Sequence, residues 1–173
     1  LNNGLLLPTF FTLSCIQCHT CSHAAKHGQL EILKWLKIYG FEWDTNTCEY
    51  AVDNEHWEVL QWALENKCPV TEESFGETVS YVCYRIASKE NWGMLKWAYE
   101  NGCPMNMSVC DKIIEKENWD MLKWALTEVS EWIPIDGIIL CESIRKKGNL
   151  EMLKWAQERT LEQLMKNANT KMA

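Results

Sequence analysis

A tripeptide recurs five times along the 173-residue chain: leucine, then lysine or glutamine, then tryptophan. The copies are Leu33–Trp35, Leu60–Trp62, Leu95–Trp97, Leu122–Trp124 and Leu153–Trp155. Their tryptophans follow one another at steps of 27, 35, 27 and 31 residues. Recurrence at such a period is typical of repeat proteins, in which each unit buries its apolar face only by stacking on the next. The chain is therefore predicted to be one array of similar units.

A cysteine stands 14 residues before each of these tryptophans. The five repeat cysteines are Cys21, Cys48, Cys83, Cys110 and Cys141. Equivalent positions in stacked helices lie about 8–10 Å apart, whereas a disulfide needs Cα atoms within about 7 Å. The repeat cysteines are therefore predicted to be small buried residues that do not pair with each other. Cys68 and Cys103, which share a second repeat position in a loop, are interpreted in the same way.

Each unit is predicted to form two short helices, and the tripeptide lies on the second. Its leucine, its tryptophan and a preceding aliphatic residue form a broad apolar stripe at helical spacing. Asn91, Asn118 and Asn149 stand directly before this helix and are predicted N-caps. Gly40 and Gly102 stand directly after it, where a left-handed residue ends a helix. The stripe is expected to bury its tryptophans as a core ladder, with Trp97 at the centre.

The first helix of each unit carries the repeat cysteine. The residues three and four positions later are small or apolar, as in Ala24–Ala25, with Ile144–Arg145 as the departure. The predicted N-caps of these helices are Asp44, Thr71, Asn106 and Asp136. The prolines expected to stop the preceding second helices are Pro69, Pro104 and Pro134.

The third unit has eight extra residues before Cys83, "SFGETVSY", which the spacing predicts as about two more helical turns. The first unit aligns with this long form, so Cys15 and Cys18 are expected on an extended first helix. The predicted units are 8–43, 44–70, 71–105, 106–135 and 136–159. A polar helix at 160–169, with Thr160 and Gln163 at capping-box spacing, is predicted to shield the last unit.

The stretch "CIQCHTCSH" raises the question of a metal or haem site. Cys15, Cys18 and His19 spell the C-x-x-C-H haem-attachment signature. On a helix they share one face, so zinc binding is geometrically feasible. Haem attachment belongs to oxidising compartments, and Cys21 already has a repeat position. The stretch is therefore interpreted as part of a cysteine-rich first helix that needs no cofactor, with zinc as the open alternative.

Charge and motifs narrow the class of function. The formal net charge of −7 argues against nucleic-acid binding, which needs a basic face. No apolar run reaches membrane-spanning length, so no membrane partner is expected. The chain has no Gly-rich phosphate loop and neither a G-x-S-x-G nor an H-E-x-x-H motif. It is therefore not expected to be an enzyme.

The segment "TCEYAVDNEHWEVLQWALENKCPVT" lies over the ankyrin pattern T-P-L-H-x-A-A-x-x-G-H-x-x-V-x-x-L-L-x-x-G-A. Ala51–Val52 take the Ala-Ala places, and Cys48 takes the buried leucine place. The chain thus resembles an ankyrin-repeat array over about residues 20–159. The 27-residue, tryptophan-bearing form with "NGCP" is similar to divergent arrays of giant DNA viruses and some protists. The Thr-Pro-Leu-His tetrapeptide is missing and the units fall short of the standard of about 33 residues, so long β-fingers are not expected.

The resemblance implies an all-α helical solenoid of helix-turn-helix units with short loops. It also implies a non-catalytic scaffold that binds another protein on the concave face made by the first helices. Tyrosine, tryptophan and arginine dominate binding energy at such surfaces. The predicted binding residues are His23, Trp43, Glu49, Tyr50, Tyr84, Arg85, Asp111, Lys112 and Ser143. Substitutions at Tyr50, Arg85 and Lys112 are expected to leave the fold intact.

Two alternatives stay open beside the scaffold. The first is a structural subunit that fills or spaces a larger assembly without a discrete ligand. The second is a zinc-stabilised domain that uses Cys15, Cys18 and His19. The many unpaired thiols favour a reducing compartment, so a cytoplasmic location is expected, in the host cytoplasm if the chain is viral. A sequence that begins at Leu1 rather than methionine is expected to be a fragment of a longer array or a processed form.

Overall fold

The computed structural model of the chain describes residues 13–43, 45–70, 72–74, 77–79, 81–128 and 133–172. Across these ranges it has ten α-helices and one two-stranded antiparallel hairpin. In chain order, the elements are α1 (Leu13–Lys26), α2 (Leu30–Ile38), α3 (Thr45–Asp53), α4 (Trp57–Glu65), β1 (Glu72–Ser74), β2 (Glu77–Val79), α5 (Val82–Ser88), α6 (Trp92–Glu100), α7 (Met107–Glu115), α8 (Trp119–Glu128), α9 (Ile133–Lys147) and α10 (Leu150–Met172). The prediction of a helical chain is confirmed, and the hairpin is an addition to it. Within these helices, no segment combines the length and the apolar character needed to cross a membrane.

The helices pack in pairs along the chain. Each odd-numbered helix, which carries a repeat cysteine and is called here a first helix, packs against the even-numbered second helix that follows it. Each first helix also packs against the next first helix, from α1 through α3, α5 and α7 to α9. Among the second helices, α4 contacts α6. The first helices therefore lie side by side in chain order.

The core of each second helix is built by leucine and alanine rather than by tryptophan. Leu95 and Ala98 of α6 are fully buried, while Trp97 between them is only half-buried against the edge of the core. Trp35 of α2 is 51% exposed. Residues three apart on a helix share a face, whereas a residue two positions on points off that face. The predicted tryptophan ladder is therefore confirmed only in part: every repeat tryptophan except Trp35 packs half-buried against the core, while leucine and the residue three later form the fully buried ladder.

The first helices bury the positions that the repeat pattern marks. Cys21, Cys48, Cys83 and Cys110 are completely buried, and Cys141 is 9% exposed. The small or apolar residues three and four positions later are also buried, except that Arg145 is exposed beside the buried Ile144. Burial of these small or apolar side chains packs each first helix against its neighbours, which is why the pattern repeats.

The predicted ends of the second helices are confirmed. The Oδ1 atoms of Asn91, Asn118 and Asn149 accept hydrogen bonds from the third backbone N–H into their helices, at 3.0, 3.0 and 2.9 Å. Gly40 and Gly102 have φ of 80° and 87°, in the left-handed region. Among the predicted caps of first helices, Asn106 precedes α7 but its side chain makes no capping hydrogen bond. Asp44 and Thr71 lie outside the described residues.

The described residues of the insertion in the third unit include strand β2 instead of two helical turns. β1 pairs with β2 in antiparallel register, with Glu72 opposite Val79 and Ser74 opposite Glu77. The β-branched residues Thr78 and Val79 favour a strand over a helix. The extended first helix expected in the first unit is nevertheless present, because α1 begins at Leu13 and includes Cys15 and Cys18.

Two expectations near the end of the chain are corrected. Pro134 and Asp136 lie inside the first turns of α9 rather than before it. Proline is tolerated there because the first N–H groups of a helix have no intrahelical acceptor. The predicted capping helix at 160–169 is not separate, since α10 continues without a break from Leu150 to Met172. Thr160 donates its hydroxyl to the carbonyl of Ala156 within that helix and does not cap a new one.

One turn geometry repeats in every unit. The residue seven positions after each repeat cysteine has a positive φ: Gly28 (66°), Glu55 (59°), Glu90 (59°), Glu117 (56°) and Gly148 (77°). A left-handed conformation costs a residue with a side chain about 1–2 kcal/mol. Glutamate at three of the five positions therefore carries backbone strain that a contact of its side chain can partly offset.

The compensating contact is an ion pair between neighbouring units. A lysine six positions after the repeat cysteine reaches back to the left-handed glutamate of the preceding unit. The pairs, with their Nζ to Oε1 distances, are Lys89–Glu55 at 3.2 Å, Lys116–Glu90 at 2.5 Å and Lys147–Glu117 at 3.2 Å. Where Gly28 replaces the glutamate, Asn54 replaces the lysine. The two positions thus change together, and at this first junction His56 lies directly against Gly28.

Candidate partner-binding face

Six of the predicted binding residues follow the repeat cysteines of three consecutive first helices, α3, α5 and α7. The surface they form, called here the first-helix face, consists of Glu49, Tyr50, Tyr84, Arg85, Asp111 and Lys112. Positions one and two after a buried cysteine turn about 100° and 200° away from it. These side chains are accordingly half-buried or exposed, whereas the cysteines are not.

Arg85 of α5 bridges to two carboxylates of α3. Its Nη1 donates to Asp53 Oδ1 and Oδ2 at 2.7 and 2.6 Å, and its Nη2 lies 2.8 Å from Glu49 Oε2. Partial burial lowers the pKa of Arg85, but the hydrogen bonds and charges of Asp53 and Glu49 raise it by more. The guanidinium is therefore held in one place as a permanent cation. Arg85 thus joins two first helices as well as lining the surface.

Tyr84 of α5 and Lys112 of α7 make the next contact along the face. Lys112 Nζ lies 5.3 Å from the centroid of the Tyr84 ring, within the range of a cation–π interaction. The same ammonium lies 2.5 Å from Glu115 Oε2, and the Lys112 side chain is 16% exposed. The hydrogen bond between them raises the pKa of Lys112 and lowers that of Glu115. Lys112 is therefore a charged residue fixed between an aromatic ring and a carboxylate.

Tyr50 and Asp111 complete the face. Tyr50 of α3 is 38% exposed, and Lys26 Nζ of α1 lies 5.9 Å from its ring centroid. Asp111 of α7 is exposed as a residue, but partial burial of its carboxyl raises the pKa of Asp111. An aromatic ring with a cation from the neighbouring first helix thus occurs twice, at Lys26–Tyr50 and at Lys112–Tyr84.

The other three predicted residues lie outside this cluster. His23 is exposed on α1, with its ring 4.7 Å from that of His27. Ser143 is half-buried on α9. Trp43, in the loop after α2, packs on Trp62 of the second helix α4 at 5.7 Å between ring centroids. The structure therefore separates Trp43 from the first-helix face and groups it with second-helix residues.

Sequence reasoning missed Lys26, Asp53 and Glu115, which hold the side chains of the face in place. The role of Asp53 beside Glu49 could have been predicted from the sequence, because the two residues lie four positions apart and share one face of a predicted helix. Lys26 and Glu115 contact residues of the face through helix packing and rotamers, which no local pattern encodes.

The three residues of the alternative zinc site, Cys15, Cys18 and His19, belong to α1. The side chains of Cys15 and Cys18 lie outside the described residues. In the part of the chain whose side chains are described, no three histidine, cysteine or carboxylate groups are close enough together to hold a metal ion. The described residues therefore add nothing to the zinc alternative.

Comparisons with models of protein families, with curated proteins and with solved structures find no significant match to the chain. The arrangement of side chains is therefore the basis for a functional argument. The first-helix face includes two tyrosines and an arginine, residue types that are enriched at protein–protein contacts.

Proposed function

We propose that the chain is a non-catalytic binding module, an ankyrin-like helical solenoid that takes a partner protein on its first-helix face. The row of first helices supports this architecture, because α1, α3, α5, α7 and α9 pack side by side in chain order. Solenoids use such rows as extended binding surfaces. The seven described cysteines are all buried, and a chain with so many cysteines in its core favours a reducing compartment such as the cytoplasm.

The proposal rests on the fixed positions of the tyrosine, arginine and lysine side chains on the first-helix face. Tyr84 lies under Lys112, and Arg85 is held by Glu49 and Asp53. Ordering a long side chain at an interface costs about 0.5–1.5 kcal/mol. Side chains that are already ordered in the free protein avoid most of that cost.

The charges on the face indicate the kind of partner surface that it fits. Lys26, Arg85 and Lys112 alternate with four carboxylates, those of Glu49, Asp53, Asp111 and Glu115. A phosphate-rich ligand would be repelled by these carboxylates, whereas a protein surface with both signs of charge would not. We therefore infer a folded protein partner with a mixed-charge, partly aromatic contact surface.

A second candidate, a structural subunit, is favoured by the two ends of the helix row. Ile38 on α2 and Ile138 on α9 are each 80% exposed. Further apolar residues exposed on the terminal helix pairs are Ile32, Trp35, Tyr39, Ile139, Leu150, Leu161 and Met165. In a structural subunit these ends, rather than the first-helix face, would contact the assembly.

Affinity capture from cell lysate with two matched variants separates the candidates. Tyr84→Ala removes the aromatic centre of the first-helix face, and Tyr39→Ala removes an exposed tyrosine of the α2 end. A binding module should lose its captured protein with Tyr84→Ala and keep it with Tyr39→Ala. The reverse pattern would favour the structural subunit and contradict the proposed face.

A further inference from the structure

Two cysteine thiols of the third unit touch inside the protein. Cys83 lies on α5, and Cys103 lies in the loop between α6 and α7. The Sγ atom of Cys83 donates to the Sγ atom of Cys103 at 3.3 Å, and it also lies 3.8 Å from the carbonyl oxygen of Cys103. Both residues are buried, with Cys83 at 0% and Cys103 at 1% exposure.

The spacing that keeps the repeat cysteines from forming disulfides does not apply to this contact. Equivalent cysteines lie in different units, whose helices are about 8–10 Å apart. Cys83 and Cys103 belong to the same unit, at the two different repeat positions, and are 20 residues apart. The fold of a single unit brings these positions together.

We infer that Cys83 and Cys103 are a site of reversible oxidative modification, at which a small disulfide such as oxidised glutathione converts the two thiols into an intramolecular disulfide. The sulfurs must close from 3.3 Å to the bond length of about 2.0 Å. That movement is available to Cys103, because a loop rather than a helix carries it. The exposed neighbours Gly102 and Pro104 show that this loop lies at the surface.

The reaction is a double thiol–disulfide exchange. The Cys103 thiolate attacks one sulfur of the small disulfide, forms a mixed disulfide and releases one small thiolate. The Cys83 thiolate then attacks the Cys103 sulfur, forms the internal disulfide and releases the second small thiol. Two electrons pass from the protein to the small disulfide, and the two thiol protons end on the two released thiols. The protein is oxidised and the small disulfide is reduced.

Local opening of the loop controls the rate of this reaction. The hydrogen bond to Cys103, reinforced by burial, holds the pKa of Cys83 well above its usual range. Thiolates are the reactive species, so the closed protein resists oxidation. Opening of residues 101–106 exposes Cys103 to the oxidant, and reclosure returns it to Cys83 for the second step. The product ties α5, which carries Tyr84 and Arg85, to the segment that leads into α7.

Cys110 provides a matched control, because it is also a completely buried repeat cysteine. The residue 20 positions after it is Ser130, so it has no second thiol at the position equivalent to Cys103. Cleavage after glutamate places Cys83 alone in residues 78–90 and places Cys103 with Cys110 in residues 101–115. Cys110→Ala therefore assigns the linkage without ambiguity. Cys103→Ala removes the proposed pair.

The experiment exposes the native protein to excess oxidised glutathione, alkylates the remaining thiols and identifies cross-linked peptides by mass spectrometry. Wild type and Cys110→Ala should both yield 78–90 joined to 101–115, at a mass lower by two hydrogen atoms than the two free peptides. A reductant should reverse the linkage, and Cys103→Ala should lack it. If Cys110→Ala fails to fold, fragmentation of the cross-linked wild-type peptides between Cys103 and Cys110 assigns the linkage.

A parallel sample in denaturant shows that the oxidant is active. The inference is wrong if Cys83 in peptide 78–90 is still alkylated in the native protein while the denatured protein is oxidised. It is equally wrong if Cys83 is joined to a different cysteine, or if Cys103 stops at the mixed disulfide with glutathione.

Discussion

Lys116 of α7 reaches back across a junction between units, and its Nζ lies 2.5 Å from Oε1 of Glu90. Glu90 adopts a left-handed backbone conformation with φ of 59°. The same lysine and glutamate positions pair at two further junctions, through Lys89 and Lys147. A residue in a strained turn thus provides a contact that helps to fix one unit on the next.

Variants at Glu90 separate backbone strain from the ion pair. Glu90→Ala keeps the strain and removes the pair, so it should lower the free energy of unfolding by up to about 1 kcal/mol, the range for exposed ion pairs. Glu90→Gly removes both, and relief of about 1–2 kcal/mol of left-handed strain should leave stability unchanged or slightly raised. Urea denaturation measures both values. A Glu90→Gly variant less stable than Glu90→Ala would contradict this account of the turn.

Leu95 and Trp97 test which residues of α6 form the core. Leu95→Ala removes a completely buried side chain and should cost about 2–5 kcal/mol. Trp97 is only partly buried at the core edge, so Trp97→Ala should cost less than the about 3–5 kcal/mol typical of a fully buried aromatic residue. Thermal and urea unfolding of the two variants give the order. A larger loss of stability for Trp97→Ala than for Leu95→Ala would show that tryptophan, rather than leucine, forms the core of α6.

Arg85 is expected to affect stability, contrary to the expectation from sequence that its replacement leaves the fold intact. Arg85→Glu places a third carboxylate beside Glu49 and Asp53, where the guanidinium now pairs with both. Like charges at such distances repel, so the variant should lose more stability than Arg85→Met, which only removes the pairs. Melting temperatures of the two variants at low salt give the comparison. Equal losses would mean that the bridge carries no electrostatic stabilisation.

Stability should fall at alkaline pH because of the buried thiols. Burial, with a smaller contribution from the charge of Asp111, raises the pKa of Cys110 from 9.0 to about 12. Between these values the unfolded chain releases the proton while the folded chain keeps it, so the free energy of unfolding declines as pH rises. One such group contributes at most about 1.4 kcal/mol per pH unit. Cys110→Ala should show a shallower decline in urea titrations from pH 9 upward, and an unchanged slope would contradict the assignment.

Sequence reasoning predicted the features that depend on local spacing. Asn91, Asn118 and Asn149 cap their helices, and the repeat cysteines are buried. It also predicted that the residues two positions after the repeat cysteines of α3, α5 and α7 point away from the core, and these residues are half-buried or exposed. These features follow from the turn angle of a helix and from the chemistry of its first residues.

The features that it missed depend on packing between units. Trp97 was assigned to the core because tryptophan is large and apolar, but its angular position places it at the edge. The contact of Cys83 with Cys103 arises from the return of the loop after α6 towards α5, which no periodicity reveals. The prediction of two extra helical turns before Cys83 is wrong because it used length alone, without the strand preference of Thr78 and Val79, which belong to β2.

The central claim is that a partner protein binds the first-helix face, and its most direct test is the dissociation constant of the captured partner for matched lysine variants. Lys112→Ala removes the cation over Tyr84 on this face. Lys96→Ala removes a similar cation, 5.2 Å from the ring centroid of Trp124, on the second helices. We predict that Lys112→Ala weakens binding at least about tenfold, which is about 1.4 kcal/mol, while Lys96→Ala binds as wild type does. Unchanged binding by Lys112→Ala together with a loss for Lys96→Ala would contradict the claim.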